Sequence, residues 1–195
     1  MPKVGMEAIR RRQVIDGTIA CIHADGLGAA SLKAIAKHAS VAPTLILHYF
    51  KDKDGVIEAV YRDLYARLAK ETLRNLRSAK TPQERLSAVL DAQLSSEMVS
   101  EDVVTAWFAL SAIAADKPSL KRMERINSAR LMSNMIHALR KAGFDSADAR
   151  EIATELMATV YGLWTLLAHG TVSGPSEAKQ ILLRALKRCL QQRAL

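Results

Sequence analysis

The sequence is short of what builds a β protein or a stapled one. Of 195 residues only 5 are proline and 9 glycine, and aromatics amount to 5%. A fold of many short strands and tight turns would use more of each. Only two cysteines occur, Cys21 and Cys189, far apart, with no CxxC spacing and no nearby histidine pair. They support neither a disulfide framework nor a zinc site, and a reducing, intracellular setting is the simplest one. The longest strongly apolar stretch without charge, Leu156 to Ala168, falls short of the roughly 20 residues that span a bilayer. Met1-Pro2-Lys3-Val4-Gly5 has no apolar signal-peptide region. These shortages predict a soluble cytoplasmic protein with no membrane partner. Dinucleotide-binding glycine motifs, phosphate loops, nucleophile elbows and paired zinc-binding histidines are missing too, so neither catalysis nor a cofactor is expected.

What is present is apolar and basic. Apolar residues make up 49% and charged residues 25%, an ordinary globular balance. The net charge is +8, from 28 Lys plus Arg against 20 Asp plus Glu. Such an excess suits a polyanion, nucleic acid or an acidic membrane surface, without choosing between them. Residues 1–57 hold 8 of the cations and 5 of the anions, so most of the excess lies elsewhere.

Hydrophobic spacing is helical nearly throughout. Ile15, Ile19 and Ile22 recur along a helix from about Glu7 to Ala24, which Asp25-Gly26 and Gly28 stop. Ser31 caps a short second helix with Leu32, Ile35, Ala36 and Ala39 on one face. After Ser40-Val41-Ala42, Pro43 opens a third that runs to Tyr49 or Phe50. A fourth begins near Val56. Thr81-Pro82-Gln83-Glu84 combines an N-cap, a first-turn proline and a capping-box glutamate. Further helices cover about Val103–Ala115, Pro118 to a point before Gly143, Ala147–His169 and Ser176–Gln192. The expectation is an all-α protein of about nine helices. The chain is expected to divide into residues 1–55 and residues 56–195.

Residues 31–53 are the most informative. Two short helices joined by a tight turn suit the helix-turn-helix, whose second helix enters the major groove. Ile35, Ala36, Val41 and Ile46 make its small core. Thr44, Leu47 and His48 point outward, a mixed face suited to base edges and thymine methyls. Ser31, Lys33, Tyr49 and Lys53 lie where hydroxyls, N–H groups and ammoniums meet phosphates, and Pro43 starts the reading helix among them. Arg10, Arg11 and Arg12 are either a solvated face or a further phosphate contact.

The stretch Ser31-Leu32-Lys33-Ala34-Ile35-Ala36, then Val41 through His48-Tyr49-Phe50-Lys51-Asp52-Lys53, resembles the DNA-binding domain of the TetR family of transcriptional regulators. Three departures stand out: Ser40 where the family usually has glycine, Ala42 where it often has a hydroxyl cap, and Leu47 for a frequent tyrosine. Within that family the opening residues, Ile9-Arg10-Arg11-Arg12-Gln13, and Gly162-Leu163-Trp164 look like the BetI-type, choline-sensing repressors. The resemblance implies that residues 1–55 are a helix-turn-helix DNA-binding domain and residues 56–195 a helical effector-binding and dimerisation domain, with a homodimer on a palindromic operator and an effector pocket in the body. It also implies choline as effector and genes of glycine betaine synthesis as targets. Another cationic or lipophilic effector is the alternative.

A quaternary ammonium has no N–H to donate and is best held by aromatic faces. Trp107 and Trp164, with Phe108 and Tyr161 close to them in sequence, are the candidates, although buried indoles are commonly plain packing. Asp91, Glu97 and Glu155 are carboxylates that could offset the charge. His137 and His169 read as structural, and Met123, Met132 and Met135 as adaptable core. Met157, Val160, Leu163 and Leu167, with Leu182, Leu186 and Leu190, are expected to supply an apolar dimer surface.

Overall fold

The computed structural model describes residues 6–192, the side chain of Gln192 excepted, so Met1–Gly5 of the resemblance lie outside the described residues. Among the described residues there are helices and no strands: α1 (Met6–Ala29), α2 (Leu32–His38), α3 (Pro43–Phe50), α4 (Lys53–Leu76), α5 (Pro82–Gln93), α6 (Glu101–Ala114), α7 (Pro118–Lys141), α8 (Ser146–Ala168) and α9 (Pro175–Gln192). They sort into two compact units. One takes the chain up to Ala66 together with Glu101–Glu124, and the other takes Arg67–Ser100 together with Arg125 onward.

Helix starts follow the caps. Ser31 is extended (φ −77°, ψ 161°) and its Oγ accepts the Ala34 N–H at 3.1 Å. Thr81 and Glu84 close a reciprocal capping box, each backbone N–H meeting the other's side chain at 3.1 Å. The Lys80 and Thr81 N–H groups bonded to the Glu84 carboxylate hold its pKa below the usual carboxylate range. Helix α4 begins earlier than Val56. The Asp52 side chain accepts the Gly55 N–H at 2.7 Å, so the aspartate in the polar Lys51–Gly55 stretch is itself a cap. In α1 the expected stop survives as a break at Gly26 (φ 80°, ψ 158°), beyond which a last short turn runs to Ala29.

In the first unit α1 packs on α2 and α6, and α2 packs on α3. Val14, Ile19, Ile22, Ile35 and Ile46 are buried there, and Thr18 returns its hydroxyl to the Val14 carbonyl at 2.7 Å. The helices cross with almost nothing between them. A β-carbon on Gly17 would lie 2.5 Å from Ala39 atoms. That proximity sets the angle at which α2 leaves, and hence where the turn and α3 begin.

The turn breaks two local rules. Ser40 has φ 52°, a left-handed conformation that glycine adopts without cost. Ala42 occupies the N-cap of α3 in the right extended geometry (φ −71°, ψ 141°) but offers no side-chain acceptor. Val41 holds the turn by donating its N–H to the Ala36 carbonyl at 3.0 Å.

In the second unit α8 lies along α9, and α5 packs on α9. This corrects four positions of the expected dimer stripe, whose Met157, Leu167 and Leu190 are half-buried. Val160, Leu163, Leu182 and Leu186 are buried within the chain itself, because packing α8 on α9 uses those faces. The large apolar side chains these two helices leave exposed are Tyr161 (42%), Leu166 (39%) and Leu183 (47%). No described helix is long and apolar enough to cross a membrane.

Ser40→Gly should relieve the left-handed strain, and Ala42→Ser should supply the missing acceptor for α3. Each is expected to stabilise the protein by about 0.5–1 kcal/mol. For a chain of this size that corresponds to a rise of about 1–4 °C in Tm per substitution, read by differential scanning calorimetry. An unchanged or lowered Tm in either variant would show that its local backbone is not limiting.

Candidate nucleic-acid interface and effector-binding residues

The exposed side of α3 follows directly from which of its residues are buried. Ile46 and Phe50 face inward, while Pro43, Thr44, Leu47 and His48 are exposed and Tyr49 is half-buried. Thr44, Leu47 and His48 stand at i, i+3 and i+4 and therefore share one surface. Leu47 is 46% exposed on a helix where an apolar side chain has no folding reason to face water. Lys33 is exposed at the start of α2, near the Ser31 hydroxyl. The structure brings these residues together on the α2–α3 pair.

Beside this surface a clamp appears where the sequence left alternatives open. The Arg11 guanidinium donates to the Tyr49 carbonyl at 3.0 Å and to Glu7 at 2.9 Å. It also lies over the Phe50 and Tyr49 rings, 5.0 and 5.6 Å from their centroids. Arg12 reaches Asp16 at 2.8 Å and Asp63 on α4 at 3.0 Å. Both arginines thus hold the head together. Arg10 donates to Gln13 at 2.9 Å. Lys53 donates to the Leu27 carbonyl at 3.3 Å, tying the start of α4 to the end of α1. His48 and Tyr49 meet edge to face, with centroids 4.9 Å apart.

Of the four aromatic candidates, Trp107 and Phe108 on α6 lie in the first unit, and Tyr161 and Trp164 on α8 in the second. Trp107 is buried and has companions that spacing in the sequence did not pair with it. Tyr61 and Tyr65 on α4 stand 6.0 and 4.8 Å from it by ring centroid, and 4.9 Å from each other, all at steep angles. The signal was present as two tyrosines four apart on a helix. Their hydroxyls form a chain, Tyr65 to Tyr61 and Tyr61 to Ser111, each at 3.3 Å. Burial pushes the Tyr61 phenol up, while those hydrogen bonds pull it down by less. Phe108 is half-buried. Trp164 is buried, and its indole N–H donates to the Gln93 carbonyl at 2.9 Å.

The three carboxylate candidates part company. Glu97 is half exposed and faces Arg67 at 3.8 Å. Glu155 accepts from the Cys189 thiol at 3.3 Å on an exposed face. Asp91 lines a cavity of about 570 Å³, with Glu71, Asn75, Ser95 and Lys179 among its walls. Burial raises the Asp91 carboxyl above its usual pKa, against a smaller opposing effect of Lys179. The buried hydroxyl of Ser95 lacks a hydrogen-bond partner among the described residues. His169 turns a ring nitrogen to the Thr165 carbonyl at 2.9 Å. His137 sits in a basic groove with Arg140, Lys141 and Arg150. Of the three methionines only Met135 is fully buried.

Comparison with known proteins places this geometry. Residues 14–60 match the model for bacterial regulatory proteins of the tetR family, and residues 82–191 match that for the C-terminal region of BetI-type transcriptional repressors. The HTH-type transcriptional regulator BetI of Paraburkholderia phytofirmans is 39% identical over 184 residues, 93% of this chain and 92% of its own. The protein of the same name from Burkholderia cenocepacia HI2424 is 38% identical, with 93% of each chain covered. Among solved structures, a transcriptional regulator from Pseudomonas aeruginosa PAO1 superposes with a TM-score of 0.81 at 23% identity, covering 96% of this chain and 92% of that one. A transcriptional regulator from Saccharomonospora viridis, solved in complex with choline, gives 0.80 at 19% identity, with 92% and 96% covered. By sequence over nearly its whole length the chain belongs to the TetR family of DNA-binding transcriptional regulators and, within it, to the repressors of BetI type, which are regulators rather than enzymes.

Proposed function

We propose that the protein represses genes of choline-to-glycine-betaine conversion as a cytoplasmic homodimer, and that choline relieves the repression. The exposed triad Thr44, Leu47 and His48 on α3 carries the DNA half of this reading. Two such helices, one from each protomer, would enter successive major grooves about one helical turn apart on a palindromic operator. Ser31, Lys33, Pro43, Tyr49 and Lys53 flank the triad as its phosphate-side support. The DNA-binding domain is taken to end at residue 55, one turn into α4. The exposed Tyr161, Leu166 and Leu183 are the apolar positions we assign to the dimer face.

The effector half is supported by the Tyr61, Tyr65 and Trp107 cluster, by the BetI name of the relatives, and by choline in one structural neighbour. Rings at steep angles offer π faces to a trimethylammonium group, and the Tyr61–Ser111 hydroxyl chain suits its alcohol. Phe108, next to Trp107 in the first unit, is a further candidate, and Trp164 is a separate candidate within the second unit. Tyr61 and Tyr65 lie on α4, whose first turn is fastened to α1 through Lys53. A shift of α4 would therefore be felt by the reading head. It requires choline to bind the released state more tightly than the operator-bound one. The cavity beside Asp91 favours a second reading, a cation bearing N–H donors that the Asp91 carboxylate and the Ser95 hydroxyl would accept.

Lys33→Ala is expected to weaken operator and random duplex by the same factor, and to lower the slope of log affinity on log salt by about one. Leu47→Ala should instead reduce the operator-to-random ratio with the slope unchanged. Fluorescence anisotropy at several salt concentrations separates the two, and a ratio insensitive to Leu47 would move base reading off this face.

Trp107→Leu keeps apolar bulk and removes a π face. It should weaken choline binding about 5- to 30-fold, from roughly 1–2 kcal/mol of lost cation–π attraction, while Asp91→Asn changes it little. Titration calorimetry with choline and with glycine betaine measures both. Loss with Asp91→Asn and none with Trp107→Leu would favour the cavity and its N–H-bearing cation.

A further inference from the structure

Three side chains of unlike chemistry meet behind the reading head, and the DNA and effector roles use none of them. On α1, Gly17, Cys21 and Asp25 follow one another at four-residue intervals and so share a ridge. Gly17 is the point of closest approach to Ala39, just beyond α2, and the last residue of α2 is His38. The crossing therefore carries His38 onto the end of the same ridge. His38 Nε2 lies 3.0 Å from Asp25 Oδ2, and Cys21 Sγ lies 3.8 Å from the same oxygen. All three donor atoms fall within 4.8 Å of one another.

The 3.0 and 3.8 Å separations lie on either side of those in a coordination polyhedron, so small side-chain shifts would bring the three atoms onto one ion. Zinc–sulfur bonds of about 2.3 Å and zinc–nitrogen or zinc–oxygen bonds of about 2.0–2.1 Å place tetrahedral ligands about 3.3–3.6 Å apart. A sulfur, a nitrogen and an oxygen donor form a set suited to a borderline-soft divalent ion. We propose that Cys21, Asp25 and His38 form a three-ligand site for a zinc-class divalent cation, with a fourth position open to water. The sulfur comes from the interior, since Cys21 is wholly buried. The approach lies on the other side, where the Asp25 and His38 side chains are 45% and 27% exposed. Burial and the Asp25 carboxylate raise the Cys21 thiol, with the Lys53 ammonium acting the other way. A bound cation would take the place of that thiol proton. The ion would cross-link α1 to α2 and stiffen the platform that carries α3. Spacing along the chain hid the site, because the cysteine and histidine lie on different helices and only the fold joins them.

The test is a cobalt(II) titration of the full chain, reduced and freed of metal by chelation. The expected result is saturation at one ion per chain, with a sulfur-to-cobalt charge-transfer band and the strong visible bands of a four-coordinate ion. Zinc should displace the cobalt and bleach both. Cys21→Ser should abolish the charge-transfer band, and Cys189→Ser should leave it. Because Cys21 is buried and its replacement can unfold the head, Asp25→Asn and His38→Gln are measured beside it. Each should weaken cobalt binding more than about tenfold, with a helical spectrum like that of the parent. A titration without the charge-transfer band, or with one that survives both surface substitutions at full affinity, would reduce the trio to a hydrogen-bonded contact. The measurement uses neither operator nor effector, so its failure would leave the proposed regulation untouched.

Discussion

Between Gly17 and Ala39 there is no room for one more carbon, and most of the DNA-reading head is placed by that approach. A helix pair separated by side chains can slide and rotate to repack, whereas a pair in backbone contact has one solution. With α2 fixed against α1, the Val41 N–H finds the Ala36 carbonyl and the turn closes. Ile35 and Ile46 are both buried in the small core, and α3 presents Thr44, Leu47 and His48. Arg11 completes the arrangement from the far end by grasping the Tyr49 carbonyl and covering the Phe50 ring. A reading surface on so short a helix needs such external fixing, because eight residues are too few to be a stable helix alone.

That fixing explains why the turn tolerates poor local chemistry. Ser40 in a left-handed conformation and a bare Ala42 cap both oppose the local structure. Neither frees the turn, since the Gly17–Ala39 crossing and the Arg11 clamp determine both ends. Local inconsistency concentrated where a protein meets its ligand is a recurring pattern. Here it sits between the scaffold helix and the reading helix. The price is a little stability, and the geometry of α3 does not depend on it.

The parts legible in the sequence were those governed by neighbours in the chain. Ser31, Pro43, Thr81 to Glu84 and Pro118 mark helix starts because a cap acts within one turn. The outward face of α3 was legible for the same reason, from the spacing of Ile46 and Phe50 against Thr44, Leu47 and His48. What escaped was set by distant partners. Asp52 looked like one polar residue among five until its bond to the Gly55 N–H showed a cap. Arg11 and Arg12 read as free cations, yet their partners lie on α3 and α4. The apolar stripes of α8 and α9 looked surplus because a stripe does not say whether its cover belongs to the same chain. Tyr61 and Tyr65 were visible as a helical pair, but their meeting with Trp107 depends on how α6 lies against α4.

Charge gains a sharper meaning from these contacts. The first 57 residues carry only a small positive excess, and Arg11 and Arg12 spend theirs on Glu7, Asp16, Asp63 and a backbone carbonyl. Lys33, Lys37 and Lys51 are the exposed lysines of the helix-turn-helix. Phosphate contacts supply most of the sequence-independent affinity for DNA, and a head with few of them holds random duplex weakly. In the proposed dimer, specificity would then rest on the fit of α3 and on the spacing of the two heads. An effector moves such an equilibrium only by the difference in its affinity for the two states. A cation held by a few aromatic faces offers a few kcal/mol at most. A head bound mainly by geometry is one that so small a difference can release, whereas a strongly basic head would stay on DNA whatever the ligand did.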